Sequence, residues 1–502
     1  MTADTNTPIS LRKLEDHLWA AADLFRNKVS NQKDYILALL FFKRASDLYA
    51  EETAAALAEL GDIDDAKELA RDRAYHVLEI PRGHQWDDVR GTDPAAMGQA
   101  LNDALSAIGR ANPKQLAGVF ERTDFADEMA LPADDLVRIV DHFHELGRLN
   151  SQRVSADMLG QAYEWLIAKF AAASGKGGGE FYTPAEVGNL MAVLLDPQDD
   201  DDIHDPTCGS GGLLLQCVNH ARRQARNTRS LSLSGQELNP ETWAIARMNM
   251  LLHGVGEASE IKLGDTLAAP SFLDGNKLRT FDIVIANPPF SSKNWGHERF
   301  KSSADPFDRI KHLPPKSHGE MAFVQHMIAS LNSRGRMAVV LPNGVFFRAG
   351  GELAVRRDLV DGDLIEAVIQ LPKDLFYGAM IPACVLVCNR AKATNRTDRI
   401  LFIDASNGFE RRDTKNVLTS AAIEEVAKHF HSGEPRNGFA AWATREQVID
   451  LSYNLTVRRY VRSKTSVESI DLSTSMQNLK SAIDRSQASD TDVLALLAKL
   501  GG

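Results

Sequence analysis

The stretch FDIVIANPPF, residues 281–290, constrains the fold of this chain more than any other. Apolar apart from Asp282, it stops on an asparagine, two prolines and a phenylalanine. Such a run bounded by chain-breakers suits a parallel strand buried on both faces, because strands of that kind read as continuous Ile/Val stretches instead of alternating ones. Asn287 then stands at the strand's carboxyl end.

The surroundings agree. Short β-like runs alternate with helical ones: DIHDPTCGSGG, a helix from Leu213 to Arg226, SLSGQELN, a helix from Pro240 to Leu252, IKLGD, and then FDIVIANPPF. A helix from Met321 to Leu331 follows, and then RMAVVLP, LIEAVIQLP and ACVLVCNR. Alternation of this kind predicts an α/β fold, a doubly wound sheet with helices on both faces. Cys384 and Cys388 lie in CVLVC, where a period of two puts both on one face of an apolar strand.

Before residue 150 the pattern differs. Leu11, Leu14, Leu18, Ala21 and Phe25 recur at three- and four-residue steps behind a candidate N-cap, Ser10, and similar spacing returns through Ile36–Leu48 and Leu136–Leu146. A helical domain over residues 1–155 is expected, then the α/β domain over 156–465 and a helical tail over 466–502. In the tail, Leu472, Met476, Leu479 and Ile483 form one apolar stripe, and Val493, Leu496, Leu497 and Leu500 a second. By pattern alone these helices pack on their own domain, with a seam for a partner's helix as the other reading.

With 502 residues, several domains are expected. A net charge of -11 argues against a chain that grips nucleic acid alone through a broad cationic face. Four cysteines in so long a chain form no disulfide framework, and no secretory signal or run of membrane-spanning length is visible, so a cytoplasmic, non-membrane setting is expected. The HFH triplets at 142–144 and 429–431 put their imidazoles on different sides of a helix, and no metal site is expected.

The chemistry gathers at strand ends. DPTCGSGG, residues 205–212, opens a helix with glycines that let the backbone approach a ligand, although such clusters also make plain turns. The segment ASGKGGGEFYTP lacks the G-x-x-x-x-G-K-[ST] order, which excludes a nucleotide P-loop. Glu237 ends the second predicted strand, where an acid can accept from two ribose hydroxyls; Asp265 ends the third, near an adenine ring, and Asn287 the fourth. Singly, such a residue is more often a helix cap or turn former. Four successive strand ends carrying polar groups form a binding edge, since open α/β sheets bind ligands there.

FYTP, DPTCGSGG, GQELNP, GDTL and NPPF, in that order, resemble the motif series of amino-directed DNA methyltransferases that use S-adenosylmethionine. LWAAADLFRNKVS, YILALLFFKRASDLY, MAFVQHM and LSYNLTVRRY further resemble the modification subunit of type I restriction-modification systems. The resemblance spans most of the chain. It implies an S-adenosylmethionine-dependent methyltransferase fold and an N6-adenine-specific activity. Glu180, Phe181, Tyr182, Thr183 and Pro184 would close over the methionine end of the cofactor, and Asp205, Thr207, Gly209, Ser210, Gly211 and Gly212 would form its turn. Glu237 would take the ribose, Asp265 the cofactor's adenine amine, and Asn287, Pro288, Pro289 and Phe290 the target base.

The same resemblance implies double-stranded DNA, a specificity subunit and a restriction subunit as partners, with two modification subunits per specificity subunit and the helical tail docking between subunits. Two other readings remain open on sequence: methylation of protein glutamine, whose enzymes use similar motifs, and a non-catalytic cofactor-binding scaffold. Between Ser291 and Ser317, Lys293, Arg299, Lys301, Arg309, Lys311 and Lys316 surround Trp295 and Phe300; this loop reads equally as a phosphate contact or a solvated surface.

Overall fold

The computed structural model describes residues 8–29, 31–173, 183–290, 292–293, 295–303, 305–376, 382–412, 415–461 and a few positions between 476 and 483. Glu180, Phe181, Tyr182, Leu472 and the second apolar stripe of the tail lie outside the described residues.

Helices come first: α1 (Leu11–Leu24), α2 (Gln32–Leu60), α3 (Met97–Ala111), α4 (Ala133–Glu145) and α5 (Ala156–Ala173), with shorter turns between. Ser10 caps α1 as its position predicts, its hydroxyl accepting from the Lys13 N–H. Leu14, Leu18, Phe25, Leu40, Phe41, Leu101, Ile139 and Phe143 are fully buried in one core. Each such side chain contributes roughly 1.5–3 kcal/mol by leaving water. Leu159, Ala162, Tyr163 and Leu166 of α5 join this core, so by packing α5 goes with the helices that precede it.

Then the chain alternates. Among the described residues, nine strands form one sheet: β1 (Asp202–Asp205), β2 (Ser232–Glu237), β3 (Ser259–Leu263), β4 (Phe281–Ala286), β5 (Leu331–Pro342), β6 (Ile365–Gln370), β7 (Ala383–Asn389), β8 (Arg399–Asp404) and β9 (Ala440–Thr444). Their spatial order is β3-β2-β1-β4-β5-β7-β6-β8-β9. β1 runs parallel to both β2 and β4, and β7 is inserted antiparallel between β5 and β6. The order reverses between β1 and β4, which makes their carboxyl ends the topological switch point.

Helices α6 (Ala185–Leu195), α7 (Gly212–Arg223), α8 (Pro240–Leu252), α9 (Glu320–Ala329), α10 (Gly351–Asp361) and α11 (Ser420–Ser432) cover the sheet. The strands at the centre are buried on both faces, which is why FDIVIA carries no polar alternation. Ile283 and Ile285 point into the core shared with α6 and α7, and Val284 and Ala286 into the opposite core shared with α9. Cys384 and Cys388 share that second face, as the period of two in CVLVC requires.

α8 joins the two parts. Asn239 caps it by accepting from the Glu241 and Thr242 N–H groups, with Pro240 at the first helical position. Its Ala244, Ile245, Met248, Leu251 and Leu252 pack into the N-terminal core. Glu241 pairs with Lys33 at 2.8 Å and with Arg122 at 2.7 Å. No described helix is long and apolar enough to cross a membrane. In the tail, Met476, Leu479 and Ile483 are exposed, so the expectation that this stripe packs on its own domain is corrected at those positions.

Candidate active site

The carboxyl ends of β1 to β4 carry the predicted residues. Asp205 is the last residue of β1, Glu237 the last of β2, and Asn287 follows β4 directly. Asp265 stands two residues beyond β3, in the turn after it, and not at the strand's last position.

After Asp205 the chain turns back sharply. Cys208 N–H donates to the Gln236 carbonyl at 3.0 Å and Gly211 N–H to the Cys208 carbonyl at 2.7 Å. Gly209 (φ 55°) and Gly211 (φ 81°) hold left-handed conformations that a side chain would strain, and Gly211 is the residue from which α7 starts. The turn is tied to β2 by Glu237, whose Oε2 accepts the Gly209 N–H at 2.9 Å and whose Oε1 accepts the Asn239 N–H at 2.8 Å.

Asp205 is buried, and its Oδ1 accepts the Thr207 N–H at 2.9 Å, while its Oδ2 makes no hydrogen bond of good geometry among the described residues. Burial pushes the Asp205 carboxyl up to about 8; the Thr207 N–H works against this, and the nearby Glu237 charge adds to it. Burial raises Glu237 as well, opposed by the Asn239 and Gly209 N–H groups. Two carboxyls facing one turn, neither paired with a cation among the described residues, form a site ready for cationic and hydroxyl-bearing ligand groups. Asp265 Oδ1 accepts from the Leu267 and Ala268 N–H groups at 3.0 and 2.9 Å, so one of its oxygens is committed to its own turn.

At β4 the Asn287 Nδ2 donates to the Thr183 hydroxyl at 3.0 Å, and its Oδ1 is buried without a partner among the described residues. Pro288 is buried, and Phe290 is half-buried with its ring edge-on to Phe376 at 5.7 Å between centroids. Thr183 and Pro184 immediately precede α6, so the structure brings FYTP's last two residues to the NPPF strand end.

Several supports were not legible as site residues. Asn249, fully buried in α8, donates to the Ser210 carbonyl at 3.1 Å, and the Thr266 hydroxyl donates to the Pro206 carbonyl at 2.6 Å. A polar residue inside the apolar helical stretch MNMLL was the available signal for the first. Arg309 is the third, and for this residue alone the reading as a phosphate contact or solvated surface is corrected, since Lys293, Arg299, Lys301, Lys311 and Lys316 are exposed. Arg309 is buried against Asp305 and donates to the Thr266 and Leu267 carbonyls at 3.0 and 2.9 Å, anchoring the loop to the Asp265 turn. Trp295 and Phe300 stack beside it at 6.0 Å around a small core with Leu267 and Phe323. A cavity of about 470 Å³ lined by Lys114, Ser234, Arg247 and Glu260 shares none of these strand-end residues.

Comparison with known proteins supplies the family. The N-6 DNA Methylase family matches residues 154–469, and the HsdM N-terminal domain matches residues 14–143. The MjaVIII type I restriction enzyme methylase subunit of Methanocaldococcus jannaschii is 32% identical over 488 residues, covering 94% of this chain and 82% of the relative. The HindI methylase subunit of Haemophilus influenzae is 30% identical, covering 81% of this chain and 93% of its own. The crystal structure of a type I restriction-modification system methyltransferase subunit from Streptococcus thermophilus superposes with a TM-score of 0.78 at 31% identity, over 90% of this chain and 100% of the other.

Proposed function

This chain belongs to the N-6 DNA Methylase family, among the methylase subunits of type I restriction enzymes, and on that premise we propose how its residues transfer a methyl group from S-adenosylmethionine to N6 of adenine in DNA. It is an adenine-specific DNA methyltransferase; the matches favour neither glutamine methylation nor a scaffold.

The observation that carries the mechanism is the buried Asn287 Oδ1 with no partner at the switch point. The exocyclic nitrogen of adenine is a poor nucleophile because its lone pair spreads into the ring. Asn287 Oδ1 accepts one of its N–H bonds and the Pro288 carbonyl the other, which draws the nitrogen toward tetrahedral geometry and aims its lone pair. No base has to act first, because the nitrogen sheds its proton readily once alkylated. Pro288 and Pro289 fix the backbone direction and remove competing N–H donors. Phe290 offers a stacking face to a base taken out of the duplex, worth roughly 1–3 kcal/mol in single-strand binders.

The donor, S-adenosylmethionine, supplies a methyl group made electrophilic by its sulfonium. The Asp205 Oδ2, unpartnered among the described residues, and the Thr207 hydroxyl beside it would suit its polar methionine end, and the glycine turn of Gly209, Ser210, Gly211 and Gly212 would admit close backbone approach. Glu237 would take the ribose hydroxyls, and Asp265 the adenine amine. Glu180, Phe181, Tyr182, Thr183 and Pro184 would close over the methionine end.

The partners are double-stranded DNA, a specificity subunit and a restriction subunit, with two modification subunits per specificity subunit. The net charge of -11 supports a separate subunit that carries the DNA-reading surface. Residues 1–155, with α5 packed onto them, form the helical domain, the chain from α6 to residue 465 the methyltransferase domain and 466–502 the docking tail, whose exposed Met476, Leu479 and Ile483 are available to a neighbouring subunit. Deleting the gene from its native source and mapping N6-methyladenine tests the reading. Loss of the modification at one recurring DNA sequence is expected; an unchanged methylation map would overturn it.

A further inference from the structure

A carboxamide has nearly the same shape when turned over, but its two ends are opposite in hydrogen bonding: the oxygen accepts and the nitrogen only donates. Rotated by half a turn, Asn287 would meet the amine of the base with N–H groups, donor against donor. Which end faces the base therefore decides whether the site captures or repels it.

In this structure the nitrogen is tied. Nδ2 donates to the Thr183 hydroxyl at 3.0 Å, and Oδ1 is left as the buried, unpartnered end. Thr183 is itself held at the start of α6, where the Pro184 carbonyl accepts the Val187 and Gly188 N–H groups at 2.9 and 3.0 Å. Gly188 lets α6 sit close against Leu213 and Gln216 of α7, the helix that the glycine turn opens. One helix pair thus fixes both the glycine turn and the hydroxyl that meets Asn287.

We propose that Thr183 is a positioning residue for methyl transfer: its hydroxyl accepts from Asn287 Nδ2 and so holds the carboxamide in the orientation in which Oδ1 meets the substrate amine. This rests on the role of Asn287 proposed above, and it gives Thr183 a task beyond the cofactor contact that its motif implies. A hydroxyl accepts and donates at once, so holding Asn287 leaves its own proton free for another partner.

The test uses the full chain in the complex it forms in its native source, with single-turnover transfer of a radiolabelled methyl group to target-site DNA and cofactor affinity measured separately. Thr183→Val keeps the shape and removes the acceptor. Its transfer rate at saturating cofactor should fall about tenfold, the scale of losing one buried hydrogen bond, over and above any loss of cofactor affinity, and Thr183→Ser should restore the rate. Thr183→Ala, which leaves space in place of a methyl group, is the second variant should Thr183→Val fold poorly, and it should show the same loss. Transfer at the wild-type rate by the Val and Ala variants would overturn the proposal. So would a loss explained wholly by weaker cofactor binding, which would make Thr183 a cofactor contact only. Asn287→Ala run in parallel separates the two levels: if it stays active, the site assignment itself fails, whereas an inactive Asn287→Ala beside a fully active Thr183→Val refutes only the role of Thr183.

Discussion

Gly209 and Glu237, 28 positions apart, meet through one hydrogen bond of 2.9 Å from the glycine N–H to the carboxylate Oε2. That bond fastens the turn after β1 to the end of β2, so the acid that would take the ribose also shapes the turn beside it. Glu237→Gln keeps one acceptor and sets an NH₂ against a backbone donor. Cofactor affinity should drop about tenfold, consistent with the loss of a charged acceptor at roughly 1.5–3 kcal/mol less what the amide retains. Isothermal titration checks this, and an unchanged Kd would show that Glu237 contributes nothing to the binding edge.

Arg309 is an anchor and not a phosphate hook. Arg309→Ala leaves the Asp305 carboxylate buried and uncompensated and strips the Thr266 and Leu267 carbonyls of their donor. Breaking a buried pair on one side should cost about 3–5 kcal/mol of stability. Lys311→Ala, at an exposed position of the same loop, should change stability by no more than ~0.5 kcal/mol. Urea unfolding of the two variants compares them directly; equal stabilities would refute the anchoring role.

Asp205 gives the cofactor-free protein a pH dependence with a definite sign. Its carboxyl is raised to about 8, against about 4 when unfolded. Between those values the folded state holds a proton that the unfolded state has released, so this group's contribution is full below about pH 4 and is lost as pH rises toward 8. Glu237, also raised, acts in the same direction. Thermal melts should therefore show wild type losing ground to Asp205→Asn as pH climbs from 5 to 8. A constant difference across that range would contradict the buried, uncompensated acid.

The sheet was legible because its physics is local. FDIVIA, AVVLP and CVLVC are apolar without alternation, which only strands covered on both faces require, and the glycines of DPTCGSGG mark the left-handed positions at 209 and 211. Spacing placed Glu237 and Asn287 at their strand ends, but it missed the offset of Asp265, because β3 stops at Leu263 and the turn takes two more residues. Long-range partnerships were out of reach. Thr183 meets Asn287 across 104 positions and Arg309 reaches back to Thr266, and no periodicity encodes such contacts. Arg309 looked like one basic residue in a basic loop because burial, and not identity, separates it from Lys311.

Asn287→Ala is the most direct test of the account, since it removes the orphaned oxygen and leaves the glycine turn, Asp205 and Glu237 in place. Single-turnover transfer to target-site DNA should fall at least ~10²-fold, as when one preorganised group of an active site is removed, while cofactor affinity stays within about twofold of wild type. N6-methyladenine formed by this variant at the wild-type rate would contradict the claim that Asn287 directs the amine of the base.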